Sequence, residues 1–257
     1  MRFFYYKICN FYNYFFSIYQ NFFLKERYEV KLKLSEFNKK GFELFFFKNH
    51  IHSYYKVKKN IKVSKYINKD IIFENSIMEI VDYVFVKNQF AKKVSEITGF
   101  CYSIDFIVGY ETFSIPVKDN KKDWYANKWH NDKPFTQNTL KFIIPLNLKN
   151  TTSQSGGIEI LDLKQSQNYV NNNKIPNKQF IFFMKNLNNE LLIFNPNLCY
   201  HRAGNPLQNK SRKQIMFQLN PSKKWCVNSK IFEKQFKIEP KFPSFNYLWD
   251  KRIKLKI

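Results

Sequence analysis

Near the amino terminus, Phe4, Ile8, Phe11, Phe15, Ile18 and Phe22 recur at alternating steps of four and three, which places them on one stripe of a helix. The expected fate of that stripe is to pack on the protein's own core. Tyr5, Tyr12, Tyr14, Phe16 and Tyr19 on the other faces keep open a second reading, a helix that lies on a membrane surface or against a partner through residues 3–22. Lys7, Asn10, Asn13, Gln20 and Asn21 interrupt the apolar run and no small-residue cleavage site follows, so neither a signal peptide nor a transmembrane helix is expected. From Lys31 to about Phe100 the pattern mixes helices and short strands. Ser35 to Phe45 reads as a helix that stops at Gly41 and hands over to a strand.

Beyond Phe100 the pattern changes to short β-runs bounded by turn residues: Ile104–Val108, Thr139–Leu146, Gly157–Leu161, Gln179–Met184, Glu190–Phe194, Cys199–Arg202 and Lys213–Leu219. Many short strands of this kind predict a sandwich or a jelly-roll barrel. The Asn-rich stretch from Gln165 to Gln179 reads as a solvated insertion, and Gly156-Gly157 as a tight turn opening a strand. After Pro221 the basic tail is expected to wrap over the surface.

A chain of 257 residues with 44% hydrophobic residues fits one larger domain with a buried core, which excludes wholesale disorder. The net charge of +23 invites a nucleic-acid reading, but it comes from 38 Lys and only five Arg. Nucleic-acid readers lean on Arg for bidentate contacts. Abundant Asn, Ile, Phe and Tyr, all spelled by A/T-rich codons, point instead to genome composition, and no nucleic-acid partner is expected. The four cysteines, Cys9, Cys101, Cys199 and Cys226, form no CxxC pair or disulfide framework, so a reducing, cytoplasmic location is expected.

The rare residues carry the chemistry. Of four histidines, His130 stands two residues before Asp132, and positions i and i+2 of a strand share a face. His201 lies at the end of another predicted strand. Two histidines and one carboxylate on one face make the facial triad of non-haem Fe(II) oxygenases. A turn at Gly204, Asn205 and Pro206 follows, and if the flanking strands pair, Arg212 returns alongside the metal-bearing strand, where its planar fork suits a carboxylate. His50 and His52 also share a face, but with no acidic or Cys partner nearby they read as solvated or packed beside Tyr54 and Tyr55. Cys199, on the face of His201, reads as a small buried apolar side chain.

The segments WHNDKP, KFIIPLNL, QSGGIEIL, LLIFNPNLCYHRAGNP and SRKQIMFQL, in this order and spacing, resemble the phytanoyl-CoA dioxygenase-like family of 2-oxoglutarate/Fe(II)-dependent oxygenases over about Ile104 to Pro221. The resemblance implies a mainly β fold with α: a double-stranded β-helix, jelly-roll and cupin-like, with flanking N-terminal helices. It divides a single oxygenase domain, 1–257, into a mostly helical annex (1–100), the barrel core (101–225) and the basic tail (226–257). It implies His130, Asp132 and His201 as Fe(II) ligands and catalytic residues, with O2 as co-reactant, and Arg212 on the far carboxylate of 2-oxoglutarate. Lys141 is placed to reach the near carboxylate or an acidic substrate. Trp129 and Arg202 flank two ligands, either lining the substrate pocket or serving to pack and to pair with an acid, and Asn127 is a further pocket candidate. Ala203 stands where some relatives carry a hydroxyl, which removes one contact to the co-substrate. Asp132, where halogenating relatives have a small residue, favours hydroxylation of a small metabolite or a sugar, lipid or peptide precursor. The competing reading is a non-catalytic binding protein of the same fold directed to nucleic acid or an anionic surface.

Overall fold

The computed structural model describes residues 2–25, 35–46, 51, 56–57, 67–72, 77–116, 126–132, 135–146, 156–172, 174–184, 190–229, 231 and 251–257. The first helix, α1, spans Arg2–Phe23. In α2 (Glu36–Lys40) the Ser35 hydroxyl accepts from the Asn38 amide, and Gly41, at φ 79°, closes the helix in the left-handed region. A side chain at Gly41 would also run into Cys199 and Leu163. The chain then enters β1 (Phe42–Phe46), as the sequence predicts. Next come β2 (Lys56–Val57), β3 (Ile67–Ile72), α3 (Ile77–Val81), a wider helical turn at Asp82–Lys87, and α4 (Phe90–Thr98), which Gly99 ends.

From here the chain alternates between two sheets. β4 (Cys101–Phe113), β5 (Leu140–Pro145), β8 (Glu190–Phe194) and β10 (Ser211–Ser222) lie in the larger one. The smaller one holds β6 (Glu159–Leu161), β7 (Ile181–Phe183) and β9 (His201–Arg202), extended by an antiparallel bridge from His130 to His201. Between β6 and β7 lies a helix, α5 (Leu163–Asn172). In space the larger sheet runs β1-β8-β5-β10-β4, then β11 (Cys226–Asn228) and β12 (Arg252–Lys254); the smaller runs β7-β6-β9. In chain order the path is β4 (larger), His130 (smaller), β5 (larger), β6 and β7 (smaller), β8 (larger), β9 (smaller), β10 (larger). That winding is a double-stranded β-helix, the fold expected from the sequence.

Strand periodicity assigns the two faces of the larger sheet. Leu140, Phe142 and Ile144, Leu191 and Ile193, and Ile215, Phe217 and Leu219 join the cluster that holds Ile80, Val84, Phe85, Phe90 and Val94 of the helical layer. Phe85 anchors it, its ring 5.1 Å from Phe142 and 5.4 Å from Phe217. The alternate residues Ile143, Leu192, Phe194 and Met216 pack instead with Ile158 and Ile160 of the smaller sheet. Lys141, Arg212 and Gln214 share the parity of this second set, so they belong to the barrel interior.

Two expectations need correction, and a third gains detail. The stripe of α1 does not pack on the core: Phe4, Phe11, Phe15 and Phe22 are 69%, 69%, 54% and 76% exposed. The buried face is polar, made of Asn13, Ser17 and Gln20. Its hydrogen bonds decide the matter: the Gln137 amide donates to Ser17 Oγ at 2.9 Å, and Asn138 Nδ2 to Gln20 Oε1 at 3.2 Å. The Asn-rich insertion is, over Leu163–Asn172, a helix. Asp162 caps it by accepting from the Gln165 amide at 2.7 Å, and Ser166 ties it to the smaller sheet by accepting from the Tyr200 amide at 2.9 Å. Finally, β9 and β10 do not pair: β9 lies against β6, whereas β10 lies between β4 and β5. His50 and His52 are outside the described residues.

Candidate functional site

His130 and His201 face each other through their backbone bridge, with amide-to-carbonyl distances of 3.1 and 2.8 Å. The rings follow, with centroids 4.4 Å apart. Asp132 is fixed from a third direction, because its amide donates to Pro196 O, in the turn between β8 and β9, at 2.7 Å. As a result one ligand atom from each of His130, Asp132 and His201 lies within 4.8 Å of the others. The carboxylate stands 3.9 Å from Nε2 of each imidazole.

The tautomers follow from the partners. His130 Nδ1 is 2.8 Å from Lys128 O, and His201 Nδ1 is 2.9 Å from Cys199 O. A carbonyl only accepts, so in each neutral ring Nδ1 carries the proton and Nε2 presents a lone pair to the carboxylate. Burial pushes the His201 imidazole down to about 3, which keeps it neutral. Burial alone would raise the Asp132 carboxyl, but the Lys141 ammonium beside it outweighs that effect and holds the group well below the usual carboxylate range. The buried, neutral His201 thus turns its Nε2 lone pair towards the Asp132 carboxylate beside a second imidazole, His130. The donor set therefore fits a divalent transition metal with open positions.

Around these donors is a cavity of about 420 Å³, lined also by Tyr110, Lys141, Ala203, Arg212 and Gln214 on its polar side and by Ile143, Ile158, Phe194 and Met216 on its apolar side. Lys141 Nζ is 2.8 Å from Asp132 Oδ2, in a pair whose side chains are only 9% and 13% exposed. Arg212 is 1% exposed. It reaches the cavity from the larger sheet, across the barrel from His201. Its Nη1 donates to the carbonyls of Gly156 and Gly204. Gly156 sits at φ 66°, and a Cβ there would strike the backbone of Asn205 and Pro206. The glycine turn predicted from the sequence is thus also the cradle of the guanidinium.

Trp129, Asn127 and Arg202 are not among the lining residues described. Arg202 donates through Nε and Nη2 to Glu159 Oε2, at 2.9 and 2.7 Å, and its guanidinium lies 4.9 Å over the Trp129 ring. Asn127 follows Ala126, a residue of the cavity wall at φ 52°. Cys199 is wholly buried beside Phe42 and Ile160, and burial pushes its thiol up to about 12, so it acts as an apolar side chain. Sequence reasoning missed Tyr110 and Gln214, which meet inside the barrel with Gln214 Nε2 donating to Tyr110 Oη at 2.6 Å. Gln214 was within reach, two residues after Arg212 on the same strand face. Tyr110 was not, because only the β4–β10 register sets it opposite Gln214.

No protein-family model matches this sequence, and no curated protein does. Among solved structures the chain is similar to the non-heme alpha-ketoglutarate-dependent carbocyclase SnoK from nogalamycin biosynthesis, with 8% identity over 73% of this chain and 84% of that one and a TM-score of 0.48. It is also similar to HygX from Streptomyces hygroscopicus with nickel and 2-oxoglutarate bound, with 8% identity, 77% and 89% coverage and a TM-score of 0.47. For EctD from S. alaskensis with bound Fe the values are 10%, 77% and 80%, and 0.46.

Proposed function

We propose that the protein is an Fe(II)- and 2-oxoglutarate-dependent oxygenase acting on a small molecule. The observation that carries the reading is the convergence of two imidazole Nε2 atoms and one carboxylate in a cavity that also presents Arg212 and Lys141. His130, Asp132 and His201 hold the metal. Each histidine is oriented by the carbonyl that accepts a hydrogen bond from its Nδ1–H, and Asp132 by the hydrogen bond its amide donates to Pro196 O. Bound Fe(II) would supply the O2 activation that couples decarboxylation of 2-oxoglutarate, to succinate and CO2, with oxidation of the substrate.

The remaining roles belong to the chain. Arg212 binds the far carboxylate of 2-oxoglutarate with a fork pre-aimed by Gly156 and Gly204, so little order is lost on binding. Lys141 holds Asp132 in place and meets the near carboxylate, while Tyr110 and Gln214 offer polar atoms to the co-substrate or the substrate. Ile143, Ile158, Phe194 and Met216 give the cavity an apolar wall for the non-polar part of a substrate. Asp132 leaves no ligand position for a halide, which favours hydroxylation. A volume of about 420 Å³ accommodates 2-oxoglutarate and part of a small substrate.

Purified protein given Fe(II), ascorbate and 2-oxoglutarate should form succinate, slowly alone and faster with substrate-containing extract, and His130→Ala should abolish it. Metal-loaded protein that neither binds 2-oxoglutarate nor consumes it with any extract would refute the reading.

A further inference from the structure

We propose that the outward face of α1 docks the protein on an anionic membrane surface, the helix lying along the headgroup layer rather than crossing it. Along 22 residues, a length of about 33 Å, the helix turns Phe4, Ile8, Phe11, Phe15, Ile18 and Phe22 to solvent. Tyr14, Tyr19 and Phe23 widen the exposed strip. The amphipathic pattern of an ordinary surface helix is inverted here. The inversion is built in, since Ser17 and Gln20 Oε1 take hydrogen bonds from Gln137 and Asn138 that rotating the helix would break.

The composition of the strip selects its occupant. Tyr is enriched where headgroups meet acyl chains, and Phe is common on the apolar face of helices that lie in that plane. No Asp or Glu occurs from Arg2 to Phe23, so nothing on the helix repels an anionic surface, and Lys7 and Lys25 are exposed. No described helix is long and apolar enough to cross a membrane. A second copy of the chain would bring a further charge of +23 towards the first, whereas anionic lipid meets the same charge with the opposite sign. Charge thus disfavours self-association and favours the bilayer, and the apolar strip supplies the contact that charge alone lacks.

The test is flotation of the full chain, in EDTA so that the metal site plays no part, with phosphatidylcholine vesicles and with vesicles carrying about 30% phosphatidylserine. The wild type should partition at least about tenfold more onto the anionic vesicles in about 0.1 M salt, and severalfold less in about 0.5 M. Combined Phe11→Ser, Phe15→Ser and Phe22→Ser, all at exposed positions, should lower that partition about tenfold or more without lowering the melting temperature. Failure of the wild type to float, or equal flotation of the triple variant, overturns the proposal. So does a wild-type dimer at micromolar concentration that the triple variant dissolves, which would assign the face to a second copy.

Discussion

Lys141 links the electrostatics of the site to the metal proposed for it. Its ammonium is 2.8 Å from Asp132 Oδ2, in a pair about one-tenth exposed, and the neutral imidazole of His201 cannot replace its charge. Lys141→Met keeps most of the side-chain volume and leaves Asp132 buried without its cation. Breaking a buried pair in this way costs about 3–5 kcal/mol, and the opening of the cavity to water argues for the lower end. For a chain of 257 residues, about 3 kcal/mol corresponds to about 6–12 °C in melting temperature. The sign follows from Asp132: a carboxyl depressed by Lys141 stabilises the fold above its unfolded value of about 3.9 and loses that contribution as pH falls through its folded value. The variant should therefore lack this part of the acid dependence. A divalent ion on Asp132 restores the missing positive charge, so the loss should largely vanish with saturating Mn(II). Thermodynamic linkage then requires Mn(II) to bind the variant more tightly, by about a hundredfold if the whole 3 kcal/mol returns. Melting curves in EDTA and in Mn(II), with a calorimetric Mn(II) titration, measure both arms. Melting within about 2 °C of wild type in EDTA, or an equal loss with and without metal, refutes the reasoning.

Arg212→Ala should weaken 2-oxoglutarate binding by about 1.5–3 kcal/mol, roughly ten- to a hundredfold, and an unchanged dissociation constant would count against the clamp. In EDTA, stability should fall as pH drops from about 6.5 towards 3, because the unfolded chain protonates His201 first and the folded value lies near 3. By pH 5 that amounts to about 2 kcal/mol, and denaturant titrations across this range should show a slope that His201→Asn flattens. Gly156→Ala, which combines a positive φ with a backbone collision, should cost about 2 kcal/mol or more. It should also raise the KM for 2-oxoglutarate through Arg212, whereas a retained melting temperature would contradict the collision.

The strands and the donor triad were legible because each rests on short-range rules. The short apolar run Leu191–Phe194, bounded by turn residues, gives the strand Glu190–Phe194 with the bounds the structure shows. The i, i+2 relation puts His130 beside Asp132 before any fold is known. What failed depended on pairing at a distance. A tight turn after His201 suggested a hairpin, yet the chain crosses from one sheet to the other there, so Arg212 comes to the site from the opposite wall. Arg212 lines the cavity all the same, since residues 212, 214 and 216 must share a face whichever strand lies next door. Gln165–Gln179 is a solvated insertion between strands, as expected, and its helical part was not legible because it depends on a cap at Asp162 and a buried Ser166.

The case of α1 shows where periodicity stops being informative. A stripe at steps of four and three establishes that a helix is two-faced, and nothing in the spacing says which face meets the body. That choice is made by the receiving surface, here the Gln137 amide and the Asn138 side chain, whose hydrogen bonds a Phe could not satisfy. The same segment continues to Asn195, whose Nδ2 donates to Gln137 O, and the turn beyond Asn195 supplies the Pro196 carbonyl that holds the Asp132 amide. The polar seat of the helix and the backbone that positions the metal-binding carboxylate are therefore consecutive parts of one hydrogen-bonded structure. Burying phenylalanines at that seat would have cost the site part of its scaffold, which is a physical reason for the apolar face to point outward.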